Sequence, residues 1–335
     1  MSSSSSSPPP HVVEDCRGVV QLLSDGTIRR SPDPIFPVDS DRDDGSVEWK
    51  DVLFDPTHSL FLRLYRPRPS HELSDYDNEK LPVLVYFHGG GFCIGSRTWP
   101  NFHAGCLRLA AELGVLVVSA DYRLAPEHLL PAAIEDGATA LLWLKSQAEA
   151  GARADPWLAE SADFSVVFVS GDSAGGNIAH HMAVRFGPAG LNPVRIRGFI
   201  ILMPAFGGVD RTRSELECPA DAFLNLEVAD RYCRLMLPRG ATRDHPLFNP
   251  FGPESPIPGP FETGPVLVVA AERDLLRDRH AEYAAKMREL GKPVELVEIQ
   301  GQEHGFFATK PWSEPAGELV RIIKRFMDEF RSDSA

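Results

Sequence analysis

The chain has 335 residues, 43% of them hydrophobic, which is enough for one α/β enzyme domain with insertions to bury a core without staples. Its formal charge of −13, with no cluster of Lys and Arg, excludes nucleic acid and anionic membrane surfaces as partners and favours a small neutral substrate. The cysteines (Cys16, Cys93, Cys106, Cys218, Cys233) are odd in number and lack C-x-x-C spacing, so they indicate neither a disulfide framework nor a zinc site and read as buried free thiols.

Residues 1–11 are a Ser/Pro tail too polar to pack, expected to be disordered. The tail has neither a basic n-region nor an apolar h-region, and Glu14 and Asp15 follow it, so the expected location is the cytoplasm, with access to the nucleus left open. No run approaches the length of a membrane span. Residues 12–45 read as an N-terminal lid segment. In it Val19, Val20, Leu22, Leu23 and Ile28 surround a Ser24-Asp25-Gly26 turn, and prolines and an acidic loop follow. The main domain spans 46–335 and opens with a hairpin, 47–54 and 60–65, at a sheet edge.

A buried strand at 81–87 ends in His88-Gly89-Gly90-Gly91-Phe92. Three successive glycines there let backbone N–H groups face a cleft with no side chain in the way. A phosphate loop would continue into Gly-Lys-Ser/Thr, which is absent, so an oxyanion hole is the better account. A helix at 101–113, a strand at 115–120 and a helix at 131–148, with Ile134, Ala138, Leu141 and Leu142 on its apolar face, follow in alternation. Such alternation means a mostly parallel sheet with helices on both faces. Between them, Asp121-Tyr122-Arg123-Leu124-Ala125-Pro126-Glu127-His128 is expected to brace the glycine loop.

Val166 to Val169 form a β-branched run, and the chain then turns through Gly171-Asp172-Ser173-Ala174-Gly175 into a helix with Ile178, Ala179, Met182, Ala183 and Phe186 at helical spacing. Strand, G-x-S-x-G and helix in succession are a nucleophile elbow, in which the glycines permit close approach and strain lifts the serine hydroxyl clear of the sheet. After a strand at 196–203, residues 206–260 break the alternation and read as an insertion that caps the pocket. Strands at 265–271 and 294–299 and helices at 278–290 and 314–330 complete the chain.

A serine hydroxyl needs an imidazole to take its proton and a carboxylate to orient that imidazole. The chain order in this architecture is Ser, acid, His. Of the two late histidines, His280 falls in a helix and is expected on its exposed face, whereas His304 lies in a turn after the last strand, where active sites of such sheets assemble. Asp274 follows the strand at 265–271 and is the favoured acid, with Glu272 and Asp278 as rivals.

HGGGF at 88–92, DYRLAPEH at 121–128, GDSAGGN at 171–177, Asp274 and His304 together resemble the hormone-sensitive-lipase branch of the α/β-hydrolases, and within it the plant class I carboxylesterases. The likeness runs from about Val12 onward. It implies the α/β-hydrolase fold, a central mostly parallel sheet flanked by helices, capped by the N-terminal segment and the insertion. It also implies a Ser173, Asp274, His304 triad and an oxyanion hole built from Gly89, Gly90, Gly91 and Ala174, in which the last three donate and Gly89 shapes the loop. No metal or organic cofactor is implied.

SRTWPNFH at 96–103, GATRDHPLFNPFGP at 240–253 and EDCRGVVQLLSDGT at 14–27 are similar to plant carboxylesterases that hydrolyse strigolactones. The resemblance implies a serine carboxylesterase acting on a small-molecule ester through an acyl-enzyme, with a butenolide hormone as the narrower substrate. Gibberellin receptors share the fold but replace the catalytic histidine and carry serine at the last glycine of HGGG, whereas His304 and Gly91 stand here. A non-catalytic hormone receptor and a hydroxyisoflavanone dehydratase are the alternatives on this scaffold. Leu22, Leu23, Phe36, Phe206, Phe223, Tyr232 and Phe306 are candidate pocket walls. Oligomeric state is not legible.

Overall fold

The computed structural model describes residues 9–31, 43–68, 80–187, 190–255 and 263–332. The N-terminal part is a small antiparallel sheet of β1 (Val12–Cys16), β2 (Val20–Leu23) and β3 (Ile28–Arg30). His11, at the end of the expected tail, is held by its carbonyl, which accepts from Ser24 N–H at 2.8 Å. Phe36 lies outside the described residues.

The main sheet contains β4 (Val47–Asp55), β5 (Leu60–Pro67), β6 (Leu81–Phe87), β7 (Leu116–Ala120), β8 (Ala162–Asp172), β9 (Ile196–Leu202), β10 (Val266–Ala271) and β11 (Val294–Ile299). Its order is β11-β10-β9-β8-β6-β7-β5-β4, and every neighbouring pair is parallel except those that involve β5. Strand order reverses between β6 and β8. In an open α/β sheet the crevice at the carboxyl ends of such a pair is where ligands bind. The glycine loop leaves β6 there, and the elbow leaves β8.

The helices are α1 (Pro100–Leu113), α2 (Ala132–Ala150), α3 (Pro156–Ser161), α4 (Ala174–Phe186), α5 (Arg213–Glu217), α6 (Leu226–Met236), α7 (Arg277–Glu289), α8 (Phe306–Thr309) and α9 (Glu314–Phe330). Successive strand residues point to opposite faces. Val83, Val85 and Phe87 of β6 accordingly join the layer under α2, α4 and α7, while Leu84 and Tyr86 join the layer under α1 and α9. Both faces are covered, which is why β6 and β8 read as unbroken apolar runs.

Two expectations about side-chain direction fail. Leu142 is 46% exposed, because one residue turns an α-helix by about 100° and Leu141 already occupies the buried position. His280 is 0% exposed, since it lies on the same face of α7 as Tyr283, Ala284 and Met287, at i+3, i+4 and i+7. Its Nε2 is 3.0 Å from the Pro204 carbonyl.

Helices α5 and α6 lie between β9 and β10. Helix α6 is tied to the N-terminal sheet: Glu14 pairs with Arg231 at 3.3 Å and Arg234 at 2.5 Å, and Arg231 donates to the Asp15 carbonyl at 2.5 Å. Four of the five cysteines are buried, and all are free. Among the described residues no helix is long and apolar enough to cross a membrane.

Candidate active site

Ser173 stands between β8 and α4 with φ 52° and ψ −114°, backbone values that an L-residue rarely adopts. Its neighbours show why the motif needs glycine. A Cβ on Gly175 would lie 1.9 Å from the Phe87 carbonyl oxygen, and one on Gly171 would lie 2.3 Å from the Gly175 oxygen. Hydrogen bonds from Ser173 N–H to Leu202 O, 2.8 Å, and from Ala205 N–H to Ser173 O, 2.8 Å, hold the strained turn.

His304 Nε2 is 3.0 Å from Ser173 Oγ, and His304 Nδ1 is 2.7 Å from Asp274 Oδ2. The Leu276 N–H donates to the other oxygen of Asp274 at 2.9 Å. Burial alone would raise the Asp274 pKa, but the charge and hydrogen bond of His304, the nearby His280 and the Leu276 N–H outweigh it and hold the carboxyl below its usual range. For His304, burial works to lower the pKa, yet the charges of Asp274 and Asp172 and the Asp274 hydrogen bond raise it above the ordinary histidine value. Of the rivals, Glu272 accepts from Gly301 N–H at 2.7 Å and Asp278 from Ser214 N–H at 2.8 Å. Neither is the partner of His304.

The glycine loop is fitted equally closely. Gly90 and Gly91 have φ of 119° and 58° and line the same cavity as Ser173 and His304. Ala174 is the first residue of α4, so its N–H belongs to the helix turn that has no intrahelical acceptor. Gly89 is placed differently: its N–H turns toward the Asp172 carboxylate, and a Cβ there would lie 2.3 Å from Asp172 Oδ2. Gly89 therefore joins the loop to the elbow and does not face the cavity. Burial raises the Asp172 pKa to about 6, although the Tyr86 hydroxyl donates to it at 2.6 Å. From the other side, Tyr122 donates to the His88 carbonyl at 2.7 Å, its ring stacks on His88 at 4.4 Å, and Ala125 N–H bonds the Phe92 carbonyl at 2.8 Å. The 121–128 stretch braces the glycine loop, while His128 stays exposed.

The cavity is about 90 Å³ and mainly apolar, walled by Ile94, Trp99, Phe102, Phe223, Tyr232 and Met236. Phe223 and Tyr232 are where the sequence suggests. Leu22, Leu23, Phe206 and Phe306 are not. Leu22 and Leu23 remain in the N-terminal sheet, and it is the β1–β2 turn that reaches the cavity, through Arg17. The Arg17 guanidinium sits 4.6 Å over the Phe223 ring and donates to the Phe223 carbonyl. Phe206 turns away through a tight Phe206 N–H to Pro204 O bond and stacks on Tyr283 at 4.8 Å. Phe306 packs in the core layer beneath α9. Trp99 and Phe102 lie in the 96–103 stretch, where two aromatics just past the glycine loop are the available sequence signal.

A family model described as the α/β-hydrolase fold matches residues 84–308. The chain is 40% identical over 302 residues to probable carboxylesterase 6 of Arabidopsis thaliana, covering 88% of this chain and 84% of that one. The chain belongs to the plant carboxylesterase family, serine hydrolases built on the α/β-hydrolase fold. This carboxylesterase is also similar to the gibberellin receptor GID1B of Arabidopsis thaliana, with 37% identity over 290 residues, 83% of this chain and 76% of the receptor. Among solved structures, the esterase of Pyrobaculum calidifontis superposes with a TM-score of 0.69 at 29% identity, covering 84% of this chain and 85% of that one.

Proposed function

We propose that this carboxylesterase cleaves small-molecule esters through an acyl-enzyme, with Ser173 as nucleophile, His304 as general base and acid, and Asp274 orienting the imidazole. The observation that carries this reading is the unbroken hydrogen-bonded relay from Asp274 through His304 to Ser173, at 2.7 and 3.0 Å, opening on an apolar cavity. His304 takes the Ser173 proton as Oγ bonds the ester carbonyl carbon. The N–H groups of Gly90, Gly91 and Ala174 donate to the resulting oxyanion, the alkoxide leaves with the proton from His304, and water, deprotonated by His304, releases the acid and restores Ser173. The N-terminal sheet and the stretch carrying α5 and α6 act together as the cap.

A space of about 2.4 Å between the Cβ that position 91 would carry and Tyr232 Cγ favours this reading over a receptor of the serine-bearing kind, because a side chain at 91 would collide with the ring. The narrower reading, a strigolactone as substrate, is supported by resemblance in the stretches 14–27, 96–103 and 240–253. These stretches also supply Arg17, Trp99, Phe102, Arg243 and Phe248 to the cavity wall.

The deciding experiment compares wild type with Ser173→Ala on p-nitrophenyl butyrate and on a strigolactone, with a fluorophosphonate probe as a covalent readout. By analogy with another serine hydrolase, the substitution is expected to lower kcat about a millionfold and to abolish labelling while the fold persists. Full ester turnover by a folded Ser173→Ala protein would refute the assignment. Butyrate cleavage without strigolactone cleavage would remove the narrower substrate alone.

A further inference from the structure

We infer that Asn101 is a specificity-determining residue that selects esters bearing a hydroxyl group. The inference rests on the esterase reading of the same cavity. Asn101 is the second residue of α1, inside the cap position that Trp99 holds, so its side chain is not used as the helix cap. Its side chain lines the cavity beside Ser173, it is 1% exposed, and neither Oδ1 nor Nδ2 has a hydrogen-bond partner among the described residues.

A buried amide without partners destabilises the free protein, and an apolar residue of the same shape would remove that cost. Five of the other polar side chains at the cavity are already committed. His304 binds Asp274 and Ser173, Asp172 accepts from Tyr86, Arg243 pairs with Glu215 and Asp230, and Arg17 donates to the Phe223 carbonyl. Thr309 donates to the Phe306 carbonyl at 3.0 Å. Among the described residues that line the cavity, Asn101 is thus the one with buried side-chain polar atoms that lack a partner, in a wall it shares with Ile94, Trp99 and Phe102.

Its chemistry defines the complement. A carboxamide offers one acceptor and one donating amino group. A hydroxyl both donates and accepts, so it satisfies both ends, whereas an ether or lactone oxygen satisfies the amino group alone. The apolar surroundings strengthen this bond and penalise a methyl group placed against the amide. The hydroxyl can sit on the acyl or the alcohol part of the ester.

The test uses two pairs in which hydroxyl replaces methyl at constant size. For the acyl part, p-nitrophenyl 3-hydroxybutyrate is compared with p-nitrophenyl 3-methylbutyrate; for the alcohol part, 2-hydroxyethyl butyrate is compared with propyl butyrate by acid release. The wild type should prefer the hydroxylated member of one pair by at least about tenfold in kcat/KM. Asn101→Leu should abolish that preference, with a Tm no lower than that of the wild type. Absence of preference in both pairs, or an Asn101→Leu variant that loses both members equally, would overturn the inference. If neither pair is turned over, it is the esterase reading that fails. Calorimetric binding of the same pairs to Ser173→Ala then decides the role of Asn101 separately: the same preference supports it, and equal affinities overturn it.

Discussion

Adding one methyl group at Gly91 probes both the fit of the cavity and the source of its electrophilic power. Gly91 has φ 58°, and the Cβ of an alanine would lie 2.4 Å from Tyr232 Cγ and 2.7 Å from both Cδ atoms. The left-handed backbone costs an L-residue roughly 1–2 kcal/mol. Forcing a methyl against a packed ring adds about 1–3 kcal/mol. Tyr232 is only 9% exposed on α6, so the ring has little room to retreat, and Gly91→Ala should lose roughly 2–5 kcal/mol in total. Urea denaturation measures this loss. A shift of the loop backbone that relieves the collision carries the Gly91 N–H out of line and should lower kcat on p-nitrophenyl butyrate about 100- to 1,000-fold with little change in KM. The double variant Gly91→Ala/Tyr232→Ala removes the collision and keeps the backbone strain. It should therefore be more stable than the sum of the single losses by roughly 1–3 kcal/mol. An unchanged midpoint and kcat in the single variant, or strictly additive losses in the double, would refute the reasoning.

Because His304 acts as base only when neutral and its pKa is raised, the acid limb of kcat/KM should have its midpoint above the ordinary value of about 6.5. Removing either negative charge beside the ring, with Asp274→Asn or Asp172→Asn, should move that midpoint to lower pH, and the first should also cut kcat about 10⁴-fold. A midpoint at or below 6.5, or one indifferent to both substitutions, would contradict the electrostatics. Glu215, whose side chain is 0% exposed, binds Arg243 at 2.8 Å and Arg279 at 2.9 Å and closes a capping box with Thr212. Glu215→Ala leaves two shielded guanidinium groups without this partner and should cost about 3–5 kcal/mol, read by urea denaturation. A loss below about 1 kcal/mol would mean that other acceptors replace it.

Much of the fold is legible because it is written in local patterns. Strands covered on both faces must be continuously apolar, as at 81–87 and 166–169, and a strained serine between a strand and a helix needs glycines at fixed offsets. His304 is legible from chain order combined with strand ends. His280 shows the limit of composition: Asp278, Arg279 and Glu282 around it suggest water, whereas the spacing to Tyr283, Ala284 and Met287 is what places it inside.

The residue sequence by itself determined the elbow, the glycine loop and the alternation of strand and helix, since each depends on neighbours within one or two turns of chain. Only the tertiary structure decided the cavity wall, where Arg17, Asn101 and Tyr232 meet from three segments far apart in the chain. It also decided that Gly89 serves Asp172, and that Phe206 and Phe306 belong to the core. The physical reason is that an apolar side chain is equally suited to a core and to a pocket wall, so its destination is set by which distant surface closes over it.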